Sequence, residues 1–163
     1  MAKFPFYKQL DAMDCGPSCL RMVAKYYGRN YSVQTLRERS HITREGVSLL
    51  GTSDAAESIG FRTMGVRLSL DQMAKESPLP CIAHWKQKHF VVVYKITKKN
   101  VYVADPAHGH IKYTREEFIS QWASTKTEGE PQGICLLLEP TPDFYNQEGE
   151  VRNKKTFRFL FSY

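Results

Sequence analysis

The sequence predicts an α+β domain in which helices come first and a mainly antiparallel sheet follows. Two changes of texture carry that prediction. Residues 15–60 show helical apolar spacing punctuated by glycines, whereas residues 61–139 break into short β-branched and alternating runs. The size of the chain supplies the third support. At 163 residues with 42% apolar and 12% aromatic content, it is long enough for one sizeable core and short for two.

The first helix runs from Cys15 to Tyr27, with Cys19, Leu20, Met22, Val23, Ala24 and Tyr26 as its apolar positions and Gly28 as its stop. Ser32 is placed to cap a second helix, Val33 to Arg39. Ser48 caps a third, through Leu49, Leu50, Ala55 and Ile59 to Gly60. The strand candidates are RTMGVRL, PCIAHW, HFVVVYKI, VYVAD, HIKY and ICLLLE, and Ser69 caps a short helix through Met73 and Ala74. TKKN forms a hairpin loop between two strands. The capping box Thr114-Arg115-Glu116-Glu117 opens a helix through Phe118, Ile119 and Trp122.

After Pro140 the periodicity is lost, so residues 1–140 read as the domain and 141–163 as a linker. A basic cluster, Arg152, Lys154, Lys155 and Arg158, leads into TFRFLFSY, the pattern of a segment approaching a membrane span. A final strand packed on the domain is the other reading of that tail.

The net charge of +6 is partly this local cluster, and no basic stripe interleaved with aromatics accompanies it, so a nucleic-acid partner is not expected. The N-terminus MAKFPFYKQLD has no apolar stretch of signal-peptide length, and FVVVY and ICLLL are too short to cross a bilayer. A soluble, cytosolic location follows, and with it four cysteines as thiols. A zinc site built on Cys15 and Cys19 would need His84, His89 or His108 as further ligands, which is a weak signal. No cofactor is expected in this domain.

The chemistry concentrates around QLDAMDCGPSC. Cys15 lies between Asp14 and Gly16-Pro17, residues that suit a turn opening a helix rather than a packed core. The partial positive charge at a helix N-terminus favours the reactive thiolate. A nucleophile needs a base and a group that orients the base. His89 enters the FVVVY strand and Asp105 ends the next one, so folding back at TKKN brings them to one edge of the sheet. Register decides the contact: pairing Lys95 with Val101 sets His89 diagonally beside Asp105, and a slip of one residue sends them to opposite faces. Gln9, six residues before Cys15, is placed to join the Cys15 N–H as an oxyanion donor. Among the other histidines, His84 reads as a packed strand residue, His108 and His110 as solvated turn residues, and His41 as a helix end. Cys19 reads as helix packing, Cys81 and Cys135 as buried and inert.

QLDAMDCGPSC followed by KHFVVVY and VADPAHG closely resembles the cysteine peptidase domain of bacterial peptidase-containing ABC transporters, the bacteriocin and lantibiotic exporters. The resemblance reaches to about Pro140. It implies a papain-like fold with Cys15 as nucleophile, His89 as base, Asp105 as its orienting partner and Gln9 as oxyanion donor. The implied substrate is the leader of a small exported peptide, cut after a double-glycine pair at the cytoplasmic face of the plasma membrane. The implied partners are that leader and the transmembrane and nucleotide-binding domains of the same transporter, ATP being confined to the latter. Ser18 stands where the family often has alanine. A non-catalytic leader-docking domain and another papain-like amide hydrolase are the alternative readings.

Overall fold

The structure is a computed structural model that describes residues 3–42, 46–86, 88–127 and 129–147. A 3₁₀ turn, Ala12–Asp14, runs directly into α1, Cys15–Tyr26; α2 is Val33–Arg39 and α3 is Leu49–Ser58. Next come β1, Phe61–Leu68, and α4, Leu70–Glu76, followed by β2, Cys81–Trp85, β3, His89–Ile96, β4, Asn100–Asp105, and β5, Gly109–Thr114. The chain continues through α5, Arg115–Trp122, β6, Thr125–Thr127, β7, Glu130–Pro140, and α6, Pro142–Asn146. The strands run in the order β1-β7-β2-β3-β4-β5, with β6 paired to β7, and every pairing is antiparallel.

The local signals act as the sequence predicts. Ser32, Ser48 and Ser69 each accept a backbone N–H of the first turn of the helix they precede. Thr114 and Glu117 form a complete capping box, and Ser69 with Gln72 forms a second one. Gly28 follows α1 at φ 97°, the left-handed conformation that ends a helix.

The sheet separates two cores. On one face α1 packs between β3 and the pair α2 and α3, burying Cys19, Leu20, Met22 and Val23 against Ile82, Phe90, Val92 and Leu136. The approach of α3 to α1 is close: a Cβ on Gly16 would lie 2.7 Å from Thr52 Oγ1. On the other face α4 and α5 cover Val91, Val93, Val101 and Val103, α5 contributing Phe118 and Trp122 to that core. No helix among the described residues is long and apolar enough to cross a membrane.

Two expectations are corrected. Residues after Pro140 are not all linker: α6 buries Phe144 completely against Phe61, and Thr141 N–H donates to Gly60 O at 3.0 Å. Gly60, at φ 105°, gives Phe144 its seat, because a Cβ there would lie 2.4 Å from the Phe144 backbone. The packed chain thus reaches at least Gln147, while residues 148–163, including TFRFLFSY and the basic cluster, lie outside the described residues. The short α6 escaped sequence reading because one buried aromatic makes no periodic pattern. The second correction concerns register. Lys95 pairs with Tyr102, not Val101, but a bulge between Val93 and Lys95 restores the other register by Val93↔Val103.

Candidate active site

That bulge decides the geometry of the site. Beyond it, Val92 faces Ala104, and continuing the ladder sets Asp105 opposite Val91 and diagonal to His89. The two side chains meet: His89 Nε2 lies 2.8 Å from Asp105 Oδ1. The same Asp105 oxygen accepts the Ala107 N–H at 2.9 Å, which fixes the carboxylate within its own turn. The Cys15 side chain also interacts with the imidazole, by hydrogen bond and by charge. Cys15, His89 and Asp105 are therefore brought together from the start of α1 and the ends of two adjacent strands.

Burial by itself would push the His89 pKa down, but its hydrogen bonds to Asp105 and Cys15, and their charges, outweigh this and raise it to about 9. Burial acts in the opposite sense on Asp105. The hydrogen bonds from His89 and Ala107 N–H, with the charges of His89 and His108, nevertheless hold its carboxyl below the ordinary value. The imidazole is thus favoured in its charged form while its ring stays partly open, the side chain being 23% exposed.

Gln9 is tied to the same corner. Its backbone N–H donates to Pro106 O at 2.9 Å, one residue beyond Asp105, and its Nε2 donates to Asp11 O at 3.1 Å. Its Oε1 is buried without a partner among the described residues. The remaining candidates fall as follows. Cys19 is fully buried with Sγ 3.2 Å from Phe90 O, and burial raises its pKa well above the usual thiol value. Cys81 and Cys135 are buried free thiols that hydrogen-bond each other, an interaction that, with burial, pushes the Cys81 pKa up. His84 stacks on Phe90, His41 lies at the end of α2, and His108 is exposed. His110 is exposed as expected, and its Nε2 also meets Phe4 O at 2.9 Å, which ties down the N-terminal segment.

Sequence reading missed the partner of Asp14. This carboxylate is completely buried, and Arg37 of α2 holds it bidentately, Nε to Oδ1 at 2.8 Å and Nη2 to Oδ2 at 2.5 Å. Only the demand of a buried charge for a counterion could have signalled it, and that demand does not name which residue answers. A cavity of about 840 Å³ lies elsewhere, lined by Phe4, Tyr26, Tyr94, Tyr102, Lys25 and Lys95 among others, and includes none of the site residues. The chemistry, not this hollow, locates the site.

The arrangement is that of a thiol beside an imidazole held by a carboxylate, at a helix start, which equips it for acyl transfer. The chain is similar to known proteins over most of its length. The chain is 33% identical over 154 residues to the lactococcin-G-processing and transport ATP-binding protein LagD of Lactococcus lactis, covering 91% of this chain and 21% of that protein. It thus spans about a fifth of the length of that relative. A crystal structure of a double glycine motif protease from an AMS/PCAT transporter, in complex with the leader peptide, superposes with a TM-score of 0.74 at 34% identity, covering 86% of this chain and 94% of that one. The peptidase domain of Streptococcus ComA, described as a bifunctional ABC transporter of a quorum-sensing pathway, gives 0.72 at 28% identity, covering 85% and 100%. These likenesses confirm the expected α+β plan of a papain-like peptidase. A family model matches residues 3–131, and the chain belongs to the Peptidase C39 family.

Proposed function

We propose that this chain is a cysteine endopeptidase domain that removes the leader from small exported peptides by cutting after a double-glycine pair. In this reading it works at the cytoplasmic face of a bacterial membrane, beside the transmembrane and nucleotide-binding domains of an ABC transporter. The observation that carries the reading is the His89 imidazole, which bonds Asp105 and interacts with Cys15. The relatives named above as processing and transport proteins support its substrate class.

The steps follow from that geometry. The Cys15 thiolate attacks the carbonyl carbon of the second glycine. The oxyanion that forms is met by the Cys15 N–H and by the Nε2 hydrogen of Gln9 not given to Asp11. His89 then passes its proton to the departing amine, the C–N bond breaks, and a thioester to Cys15 remains. Water, deprotonated by His89, hydrolyses the thioester and frees the leader. Asp105 keeps the ring in one orientation through both halves. Glycine at the cut suits a narrow cleft beside a buried thiol, which excludes side chains by steric clash.

The test is a panel of precursor peptides varied at the two glycines, with product mass locating the cut. Cleavage after the second glycine, all but stopped by valine at either position, is the expected result. Efficient cutting of valine-substituted peptides would return a broader papain-like amide hydrolase to first place, and tight binding without any cut would make the chain a docking module.

A further inference from the structure

An aspartate at the start of a helix ordinarily turns its carboxylate onto the free N–H groups of the first turn. Asp14 does not: it makes no side-chain bond to the helix it precedes, and both of its oxygens go to Arg37 instead. The helix itself discourages capping, because its third residue is Pro17, which has no N–H to offer. We propose that Asp14 and Arg37 form a charge-neutral clamp that positions Cys15 and keeps the backbone donors at the start of α1 free for the substrate oxyanion.

Three observations converge on this. Asp14 directly precedes Cys15 and is completely buried, so an unpaired charge there would oppose both a thiolate and the oxyanion formed on it. Its partner comes from another element: Arg37 sits on α2, and its side chain is 38% exposed, so it brings a positive charge in from the surface. Finally, Asp14 has φ −95° and ψ 9°, the sparsely populated bridge conformation, and its N–H closes on Asp11 O at 3.0 Å. The side chain that Arg37 grips therefore belongs to the hinge residue from which Cys15 emerges. The charged groups that flank Cys15 along the chain and across the sheet edge are His89 and Asp105 at the ends of β3 and β4, and Asp14 and Asp11 in the preceding turn, whose two charges act on Arg37 of α2. Cys19 lies below it within α1, its thiol bonded to Phe90 O. Arg37 and His89 supply the positive charge in this set, and only His89 touches the reacting atom.

Arg37 is thus a positioning residue, and the inference rests on the peptidase reading with Cys15 as nucleophile. Its test uses iodoacetamide alkylation of Cys15, which needs no peptide and so fails or succeeds independently of leader cleavage. Arg37→Gln should move the pH midpoint of the alkylation rate upward by about one pH unit, and Asp14→Asn should move it downward. The neutral pair Asp14→Asn with Arg37→Gln should return it close to the native value, and Arg37→Lys should rescue it in part. With leader peptide, Arg37→Gln should lower kcat about tenfold and leave KM unchanged. If Arg37→Gln does not fold, Asp14→Asn and the neutral pair still carry the comparison. Native midpoints in every variant, with only the melting temperature reduced, would make the pair a structural tie and overturn the proposal. A raised KM with an unmoved midpoint would overturn it too, by making Arg37 a substrate contact.

Discussion

The two faces of the sheet hold two cysteines each, and they use them differently. On the α4 and α5 face, Cys81 and Cys135 lie among valines and tryptophans, and among the described residues they interact with each other. On the α1 face, Cys19 is equally buried and donates to a strand carbonyl, but Cys15, one turn earlier, stands at the helix start beside His89. Burial alone therefore does not separate a structural thiol from a chemical one, since all four are buried. What separates them is whether an ionisable base from another element reaches the sulfur, as His89 does for Cys15. That face also carries the buried polar residues Asp14, Ser18 and Thr52, whereas beside the valine-rich core the buried polar residue is Ser69, spent on capping α4.

The sharpest way to break this contrast is to remove one thiol from each face. Cys15→Ala should abolish leader cleavage while leaving circular dichroism unchanged, because alanine suits a helix start and loses only chemistry. Cys81→Ala should keep kcat and cost about 1–3 kcal/mol of stability, the usual range for a core truncation. Denaturant unfolding and peptide turnover on the same samples decide it. Residual turnover of Cys15→Ala near the native rate would end the nucleophile assignment.

Stability and chemistry should also come apart within the α1 face itself. Phe144 lies in the same core as Cys15 but is anchored at the far end, on Phe61 and Gly60. Phe144→Ala, or ending the chain after Pro140, should cost about 3–5 kcal/mol while turnover per folded molecule is preserved. The denaturant midpoint and an active-site titration measure the two quantities separately, and a fall in turnover per titrated site would tie the two ends of the core together.

The smallest expected effect is the pH dependence of stability. His89 titrates at about 9 in the fold against an ordinary 6.5, so the fold favours its protonated form. That contribution is complete below pH 6.5 and is lost as the pH rises through about 9. Asp105 runs the other way: its lowered pKa contributes above the ordinary 3.8 and is lost as the pH falls through its folded value. Denaturant midpoints should therefore decline between pH 6.5 and 9, and Asp105→Asn should flatten that decline. An equal decline in Asp105→Asn would place the cause outside this pair.

Much of this was legible because the signals are local. A serine three residues before a helical N–H caps it wherever the helix packs, and a proline after Cys15-Gly16 opens a helix for reasons contained in its own ring. The order of helices and strands, the placing of His89 and Asp105 at one edge of a hairpin, and the contrast between Cys15 and the other thiols all rest on neighbours a few residues apart or joined by one short turn. What tertiary structure alone decided involves partners that meet only after collapse. The bulge beside Tyr94 selects between two registers of nearly equal local merit, and without it the strand would present the wrong face at His89. Phe144 finds its seat because Gly60, eighty-four positions earlier, leaves a backbone bare. Asp14 acquires Arg37 because α2 folds over the start of α1. No periodicity encodes such meetings, since a buried charge or an isolated aromatic states what it needs but not where along the chain the answer lies.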